Sequence, residues 1–359
     1  MHRAAGLSLV ELMIALLLGV ILTLGATQVY LGTSQSYRLT DGIAHVQETV
    51  RFASTMMQRD VRSAGSLSCL QNADDVDIKL NGTRVVALGD GITGWEAAGS
   101  ASGDALVAGL ATPADGASWS EGSGVSNFPA ELVGRVVAGT DILIVNTTET
   151  VPATVTGNST GQINTVSASG IAQGRIILSV DDNCSSGELF QKANNATADS
   201  VSMAGVSGNP GGFVPGNQAS SGFQSTYGGD SRIAEFSTKA YYVGISGATG
   251  EPALFMQLLG GNAEPRQELV EGVESMQVMY GLSENQIRQA DRYVSANQVT
   301  DWSEVMSLRV SFVVRSGGNA NSEDITRTFN LLGTEVTSPA DRRARVVAST
   351  TIGLRNRLE

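Results

Sequence analysis

The sequence predicts an α+β protein, with one long N-terminal α-helix packed on an antiparallel β-sheet domain that carries large, loop-rich insertions. No proline interrupts residues 7–65, where a continuous apolar run passes into a helical pattern. Residues 231–359 contain several runs in which apolar and polar residues alternate, as they do in strands. Residues 66–230 are rich in Gly, Ser, Thr, Asn and Ala, with short strand-like runs between turn signals. The predicted order is therefore helix, variable β region and C-terminal sheet.

The composition narrows the classes of function. The chain of 359 residues has a formal net charge of −12, and its surface should therefore repel phosphate. We accordingly expect no nucleic-acid partner. The chain has only two histidines, His2 and His45, and two cysteines, Cys69 and Cys184. That scarcity disfavours an enzyme, and no catalytic, cofactor or metal site is predicted.

Residues 7–31 form an apolar run in which Glu11 is the only formally charged side chain. Because about 20 apolar residues span a bilayer as a helix, the run predicts one transmembrane segment. His2 and Arg3 precede it and no Lys or Arg follows until Arg38, which predicts a cytoplasmic N-terminus and an exported remainder. A secretory signal peptide has a shorter apolar core, whereas a plain signal anchor fits the length. The carboxylate within the run needs a separate explanation, because charge in hydrocarbon is unfavourable.

The spacing around the start of the run supplies that explanation. Gly6 directly precedes it, Glu11 is the fifth residue after Gly6, and the apolar pattern continues as an amphipathic helix. These features resemble the class III leader of type IV pilins and pseudopilins. The resemblance implies that prepilin peptidase removes residues 1–6 and that Leu7 is then N-methylated, although a phenylalanine is commoner there. It also implies that Glu11 pairs with the terminal amine of a neighbouring subunit; the alternative is a charge that snorkels to the membrane interface.

Residues 32–65 are predicted to continue the same helix, with one apolar face toward the globular part. Gly65 predicts the C-terminal end of the helix. Many major pilins carry a proline at the position matching Gln28, and this chain departs from that pattern. The apolar face is formed by residues that recur at three- and four-residue steps, namely Leu39, Ile43, Val46, Val50, Ala53, Met57, Val61 and Ala64.

Strand predictions are weaker in the variable region than in the C-terminal region. The variable region holds TRVVAL, DALVAGL, GRVVAGTDILIVN and GRIILSV, and residues 205–229 are predicted to form a long surface loop. The C-terminal region holds AEFSTKAYYVGI, ALFMQLLG, VESMQVMYGL, EVMSLRVSFVVRS, DITRTFNLLG and ARVVASTTIGL. In residues 307–316 period-two alternation predicts one buried face and one largely solvated face. The polar segment 284–305 has helical character.

The C-terminal region carries a second resemblance. LVEGVESMQVMYG, DRYVSANQVTDWSEVMSLRVSFVVRS and TTIGLRNRL are similar to the PilW type of minor pilin, over roughly residues 265–359. The resemblance implies a pilin-like fold and a non-catalytic subunit that starts in the inner membrane. Its implied partners are other minor and major pilins in a priming complex at the pilus tip, and a tip adhesin. The alternatives are a J-type minor pseudopilin of type II secretion, or a tip subunit that binds a ligand through its variable loops.

Cys69 and Cys184 are predicted to form a disulfide, because disulfides persist in the periplasm where the globular part would lie. The alternative is two free or separately buried thiols. Asp74, Asp75 and Asp77 cluster, as do Asp181 and Asp182, but surface acidic loops are commoner than calcium sites and the EF-hand spacing is absent.

Two short motifs match catalytic or binding patterns only formally. GDGITG at residues 89–94 matches a dinucleotide-binding pattern, but the sequence after it is a poor helix. GNSTG at residues 157–161 matches a nucleophile elbow, but neither histidine is placed to act as a base. GNSTG is therefore interpreted as a polar turn, and GDGITG is not expected to bind a nucleotide.

Asp291, Tyr293, Asp301 and Trp302 belong to the PilW-like motif, and the two aspartates could form a carboxylate pair of the kind enzymes use. The favoured interpretation is structural, with Trp302 in the core and Asp301 as a cap or turn residue. Arg355 and Arg357 are predicted either to anchor the last strand or to face a partner.

Overall fold

The structure is a computed structural model that describes residues 8–81, 90–123, 128–203, 210–218, 222–262, 266–283 and 289–355. Gly6, Leu7 and Arg357 lie outside the described residues, as does the whole of the predicted strand TRVVAL. The predicted α+β class is confirmed, because one long helix precedes a domain built almost wholly from strands.

The N-terminal helix, α1, runs without a break from Leu9 to Arg62. It begins at the N-cap Ser8, and no proline or other helix breaker interrupts its interior. Ser63 follows as the C-cap, and Gly65 adopts a φ of +71°, which a glycine tolerates at a helix end. The predicted stop at Gly65 is therefore confirmed, with the last helical residue three positions earlier.

The described residues also form nineteen strands and several short 3-10 turns. The strands are β1 Val76–Ile78, β2 Ile92–Ala97, β3 Ala105–Val107, β4 Trp119–Ser120, β5 Ile142–Thr150, β6 Val155–Ser159, β7 Gln162–Thr165, β8 Ile176–Val180, β9 Gly187–Gln191, β10 Ser200–Ser202, β11 Arg232–Ile245, β12 Pro252–Leu259, β13 Gln267–Glu271, β14 Val273–Leu282, β15 Arg292–Val294, β16 Val305–Asn319, β17 Thr328–Leu331, β18 Thr334–Thr337 and β19 Arg343–Gly353. The 3-10 turns are Ala73–Asp75, Ala130–Leu132, Pro210–Gly212, Ala296–Gln298 and Trp302–Glu304.

The largest sheet joins the variable and C-terminal regions. Its order is β1-β9-β8-β11-β5-β2-β4, with β12 beside β11 and β13 beside β12. The long strand β11 is its centre, because it pairs with β5 on one side and with β8 and then β12 on the other. All pairs in this sheet are antiparallel except β1 with β9. The two regions that differ in composition are thus interleaved in one sheet.

Three smaller sheets complete the domain. A four-stranded antiparallel sheet has the order β15-β14-β16-β19, and it contains the longest strand, β16. A sheet of order β10-β7-β6 covers a separate apolar cluster that lies mostly in the variable region. A sheet of order β17-β18-β3 brings residues 105–107 beside the C-terminal hairpin through a parallel pair.

The main core lies where α1 meets the nine-stranded and four-stranded sheets. Val46, Ala53, Met57 and Val61 of α1 are buried in one cluster with residues of both sheets. Cluster members from the sheets include Val145, Tyr241, Met276, Leu308 and Ile352. Only the second half of α1 takes part in this core, as the apolar pattern predicted.

Three predictions about the C-terminal region and the long loop need correction. One face of β16 is buried as expected, but the other is not largely solvated, because the β17-β18-β3 sheet covers Val313 and acidic side chains surround Arg315. Within 289–305 the polar segment forms β15 and two 3-10 turns and no α-helix. The described part of 205–229 is not only a surface loop, since Asn217 and Tyr227 are buried there.

Two predicted strands in the variable region are shorter than the sequence pattern suggested. Only Ala105–Val107 of DALVAGL is a strand, and GRVVAGTDILIVN turns until its strand begins at Ile142. The GRIILSV run is confirmed as β8, Ile176–Val180.

Candidate functional site

The first half of α1 stands free of the globular domain. Every described side chain from Ser8 to Thr33 is exposed, including the apolar ones, and the helix is long and apolar enough there to cross a membrane by length and composition. From Leu9 to Leu31 the helix rises about 35 Å at about 1.5 Å per residue, and the hydrocarbon core of a bilayer is about 30 Å thick. The described part of the predicted transmembrane segment therefore has the length of a membrane span.

The threonine hydroxyls in this segment are satisfied by the helix itself. The Thr23 Oγ1 donates to the Gly19 carbonyl at 2.9 Å, and Thr27 Oγ1 donates to the Thr23 carbonyl at 2.8 Å. Because a polar group without a partner is unfavourable in hydrocarbon, these bonds make the threonines compatible with a lipid or protein interior.

Glu11 closes the first turn of α1. Its backbone N–H donates to Ser8 Oγ at 3.2 Å, and the Ser8 backbone N–H donates to Glu11 Oε2 at 3.4 Å, which together form a capping box. No described lysine or arginine forms an ion pair with the Glu11 carboxylate. The sequence analysis missed this local role, although Ser-x-x-Glu before an apolar run is its recognised signal. The cap accounts for the position of Glu11 on the helix but leaves its charge without a partner in the described chain.

The second half of α1 is tied to the domain by polar contacts as well as by its buried face. Asp60 Oδ2 accepts hydrogen bonds from Tyr241 Oη at 2.5 Å and from Lys239 Nζ at 2.9 Å, both on β11. Gln58 Nε2 donates to Thr350 Oγ1 on β19 at 3.1 Å. These contacts come from two different sheets, so they fix the rotation of the helix on the domain.

The predicted apolar face of α1 is buried toward its C-terminal end and becomes more exposed toward its N-terminal end. Val46, Ala53, Met57 and Val61 are almost fully buried, whereas Leu39 is 37% exposed. Two large apolar side chains lie outside that face and remain uncovered, since Phe52 is 48% exposed and Met56 is 38% exposed. A neighbouring molecule that packs on α1 can bury this surface.

The disulfide between Cys69 and Cys184 is present, with a Cα–Cα distance of 5.6 Å. It joins the segment just after α1 to the turn between β8 and β9. Leu67, Leu70 and Leu178 pack around it in a separate apolar cluster. The bond therefore fixes the exit of the chain from the helix against the sheet.

The acidic clusters have structural roles. Asp181 accepts hydrogen bonds from the backbone and hydroxyl groups of Ser185, and these bonds lower the pKa of Asp181 although burial opposes them. Asp77 pairs with Lys79, and Asp182 accepts from the Gly228 N–H at 3.0 Å. Within the described ranges no group of three His, Cys, Asp or Glu residues is placed to hold a metal ion.

The two formal motifs have the geometry of ordinary turns and strands. The strand β2 begins at Ile92, so GDGITG does not lead into a helix N-terminus. GNSTG forms the turn between β6 and β7, and His45 is exposed on α1, remote in sequence from that hairpin.

Two interpretations of the PilW-like motif are confirmed. Trp302 is 3% exposed and meets the Tyr280 ring edge-on, with 4.9 Å between ring centroids. Asp301 Oδ1 accepts from the Ser303 N–H at 2.9 Å and caps the 3-10 turn there. Tyr293 lies under the Arg309 guanidinium, 3.8 Å from its ring centroid. Arg355 is exposed two residues after the end of β19, and its side chain or backbone interacts with another group of the chain.

A buried pair of carboxyl groups, Glu96 and Asp141, was missed by the sequence analysis. Burial and then the neighbouring Asp141 raise the pKa of Glu96 to about 8. Burial raises the pKa of Asp141 to about 7. The backbone N–H groups of Ala97 and Val278 donate to its carboxylate and have the opposite, smaller effect on this pKa. Each residue is 2% exposed, so the pair is sealed from substrate and belongs to the core. No sequence signal marks the pair, because its members are 45 positions apart and are brought together by the pairing of β2 with β5.

Comparisons with known proteins agree with the sequence motifs. Residues 240–356 match the family model described as Type IV Pilus-assembly protein W, and residues 1–27 match the prokaryotic N-terminal methylation motif. Curated proteins give no match to this chain. A type IV-like pilin from Thermus thermophilus is a similar solved structure, at 15% identity and a TM-score of 0.22, covering 34% of this chain and 67% of that one. The similarity to that structure is too low to carry an argument, so the assignment depends on the two family models.

Proposed function

We propose that this chain, a PilW-type minor pilin by its two matched segments, is processed in the inner membrane and then assembled into a type IV pilus. The single observation that carries the proposal is the division of α1, Leu9–Arg62, into a free apolar half and a docked half. The free half is suited first to lipid and then to the helices of neighbouring subunits. The docked half holds the globular domain, which would lie in the periplasm before assembly.

Processing supplies the first step of the proposed pathway. Prepilin peptidase would cut after Gly6 on the cytoplasmic side, and Leu7 would become the methylated N-terminal residue, as the leader motif implies. Mass spectrometry of the mature chain tests this step. A mature chain that begins at Met1, or at a residue near Ala26, would contradict it.

Glu11 supplies the second step, in which its carboxylate pairs with the terminal amine of a neighbouring subunit. Two observations support this role: the side chain is exposed, and no described cation pairs with it. The pairing would offset the unfavourable free energy of placing the charge in an apolar filament core.

Two substitutions separate this pairing from the capping role of Glu11. Glu11→Ala removes both the charge and the cap, whereas Glu11→Gln removes the charge and keeps a side chain that can complete a capping box. We expect both variants to be processed normally and both to be lost from sheared pili, measured by immunoblot of pilus and membrane fractions. If Glu11→Gln enters pili as well as the unchanged chain, Glu11 acts only as a cap.

The finer proposal is a place in the priming complex at the pilus tip, with other minor pilins, major pilins and a tip adhesin as partners. The support is the match of residues 240–356 to a pilus-assembly family, which points to non-catalytic assembly. Deletion of the gene followed by counts of surface pili, with complementation, tests it. Normal piliation combined with loss of a secreted protein would favour the alternative, a minor pseudopilin of type II secretion.

A further inference from the structure

The four-stranded sheet has an open edge along β19, Arg343–Gly353. On one side β19 pairs with β16 over most of its length. On its other side no strand of the described chain pairs with it. Because an edge strand presents a row of unpaired N–H and C=O groups, the direction of those groups decides what the edge can bind.

One hydrogen bond fixes that direction. The Leu354 N–H donates to the Met306 carbonyl at 2.9 Å, and in the same register Leu308 lies opposite Ile352. Residues opposite each other in an antiparallel pair alternate between hydrogen-bonded and non-hydrogen-bonded pairs. The even-numbered residues 346–354 therefore bond to β16. Val347, Ser349 and Thr351 direct their backbone groups to the open side, where no described residue bonds to them.

This edge lacks the devices that usually prevent strand pairing. Residues 346–354, VVASTTIGL, contain no charged residue and no proline, and their register with β16 has no bulge. The edge strand β13 in contrast carries Glu268 and Glu271. Several other edge strands are shorter, with three residues in β15, three in β3 and two in β4.

The open edge lies beside the helix that enters the filament. Gln58 of α1 donates to Thr350, and Ile352 belongs to the core cluster that contains Met57. A subunit that packs against the exposed side of α1 therefore comes close to β19. The edge would thus be continuous with the interface proposed for α1.

We propose that the open edge of β19 binds an extended segment of a different pilin subunit by strand addition. Backbone hydrogen bonds from Val347, Ser349 and Thr351 would supply the affinity, and the exposed side chains of Ser349 and Thr351 would contact alternate residues of the added strand. This proposal rests on the proposed function, because the partner is a subunit of the same filament.

Two copies of this chain do not pair through the same edge of β19 within a filament. Pairing two copies through the same edge of β19 is an isologous contact, which requires a two-fold axis between them. Successive subunits of a filament are related by a screw operation instead, and all their helices point the same way. A different segment of a second copy would need no two-fold axis, but the proposed priming complex places other pilins beside this chain. We therefore assign the edge to a segment of another kind of subunit.

Photo-crosslinking in intact cells tests the contact. A photoreactive amino acid replaces Ser349 in one full-length chain and Thr351 in another, with Glu268 as the site of a matched control on the β13 edge. We expect the first two to crosslink to another protein with a prepilin leader. Peptide mapping should show the contacted position shifting by two residues between the two chains, since strands pair with a period of two.

A pair of substitutions tests whether the backbone is responsible. Ser349→Pro removes the outward N–H and places a ring on the open side, which edge strands tolerate, whereas Ser349→Ala removes only the hydroxyl that contacts Ser311. We expect Ser349→Pro to reduce co-purification of the partner at least about tenfold, which corresponds to about 1.4 kcal/mol. The thermal unfolding midpoints of the two variants should agree.

Four results would overturn the proposal. They are equal co-purification by the two variants, crosslinks without the two-residue shift, crosslinks only to a second copy, and a partner complex that forms without any crosslink at this edge. The proposed function is assessed separately, because pilus incorporation of Glu11→Gln reports on assembly through the helix. If the β19 tests are negative while the Glu11→Gln variant is still lost from pili, only the proposed strand addition is rejected.

Discussion

Glu96 and Asp141 show how a buried pair of carboxyl groups contributes to the response of this protein to pH. Both carboxyl groups have raised pKa values in the folded chain, chiefly because burial disfavours the charged form. The Ser100 hydroxyl lies 3.4 Å from Glu96 Oε1 and 3.3 Å from Asp141 Oδ1. Tyr280, with the pKa of its hydroxyl also raised by burial and by these acids, closes the site on another side. The group is stable while its carboxyls hold protons.

The direction of the pH dependence follows from those shifts. In the unfolded chain both carboxyls have ordinary, low pKa values, so the folded chain binds more protons at neutral pH. The contribution of this pair to stability is therefore fully present below the unfolded pKa values and is lost as the pH rises through about 8, the folded pKa of Glu96. We expect the thermal unfolding midpoint to decrease as the pH is raised from about 5 to about 9.

Glu96→Gln should weaken that dependence, because the amide cannot ionise and can still accept from Ser100. The exposed carboxylate of Glu149 offers a matched control in Glu149→Gln. Melting curves over the pH range compare the slopes of the two variants with the unchanged chain. An equal slope for Glu96→Gln and the unchanged chain would show that Glu96 does not carry the effect.

At the scale of elements, the helix α1 serves two environments along one continuous axis. Its docked half buries a narrow apolar stripe and adds the Asp60 and Gln58 contacts. Its free half exposes apolar side chains on every face. The sequence predicted both halves because helix periodicity is local information, and it placed the end of the helix correctly because Gly65 is a local signal.

Substitutions of two adjacent methionines distinguish the role of this helix in domain stability from its proposed role in pilus assembly. Met57 is 1% exposed, so Met57→Ala should lower the free energy of unfolding by about 2 to 5 kcal/mol through the lost contacts and the cavity. Met56 is 38% exposed, so Met56→Ala should change stability little and reduce incorporation into pili. Urea unfolding of the purified chain measures the first effect, and immunoblots of sheared pili measure the second. Equal destabilisation by the two substitutions would contradict this division of the helix surface.

At the scale of the whole molecule, pairing between segments that are distant in sequence determines which surfaces are buried, and the sequence pattern does not reveal this pairing. The alternation in β16 predicted burial of Leu308 and Phe312, and both are buried. It also predicted a solvated second face, but Val313 is covered by a sheet that includes Ala105–Val107, about two hundred positions earlier. The Glu96–Asp141 pair was unpredictable for the same reason. Local periodicity reports which residues share a face, and it does not report what covers that face.

Removal of the disulfide should destabilise the domain as a whole. Cys69 and Cys184 close a loop of 115 residues, which corresponds to about 4 to 5 kcal/mol of chain-entropy stabilisation. Cys69→Ser, Cys184→Ser and the double variant should lose similar amounts, measured by thermal unfolding in the oxidised state. Addition of a reductant should lower the midpoint of the unchanged chain and leave the double variant unaffected. An unchanged midpoint after verified reduction would show that the packing of Leu67, Leu70 and Leu178 suffices.

The same covalent bond has a mechanical consequence. A pulling force applied through α1 enters the domain just after Arg62, and Cys69 transfers it to the β8–β9 turn within a few residues. The 115 residues between the two cysteines cannot then be drawn out as slack. At about 3.5 Å per extended residue that segment would otherwise add about 400 Å of contour length. If the chain is assembled into a pilus as proposed, this bond would resist elongation of the subunit under tension even when its sheets begin to separate.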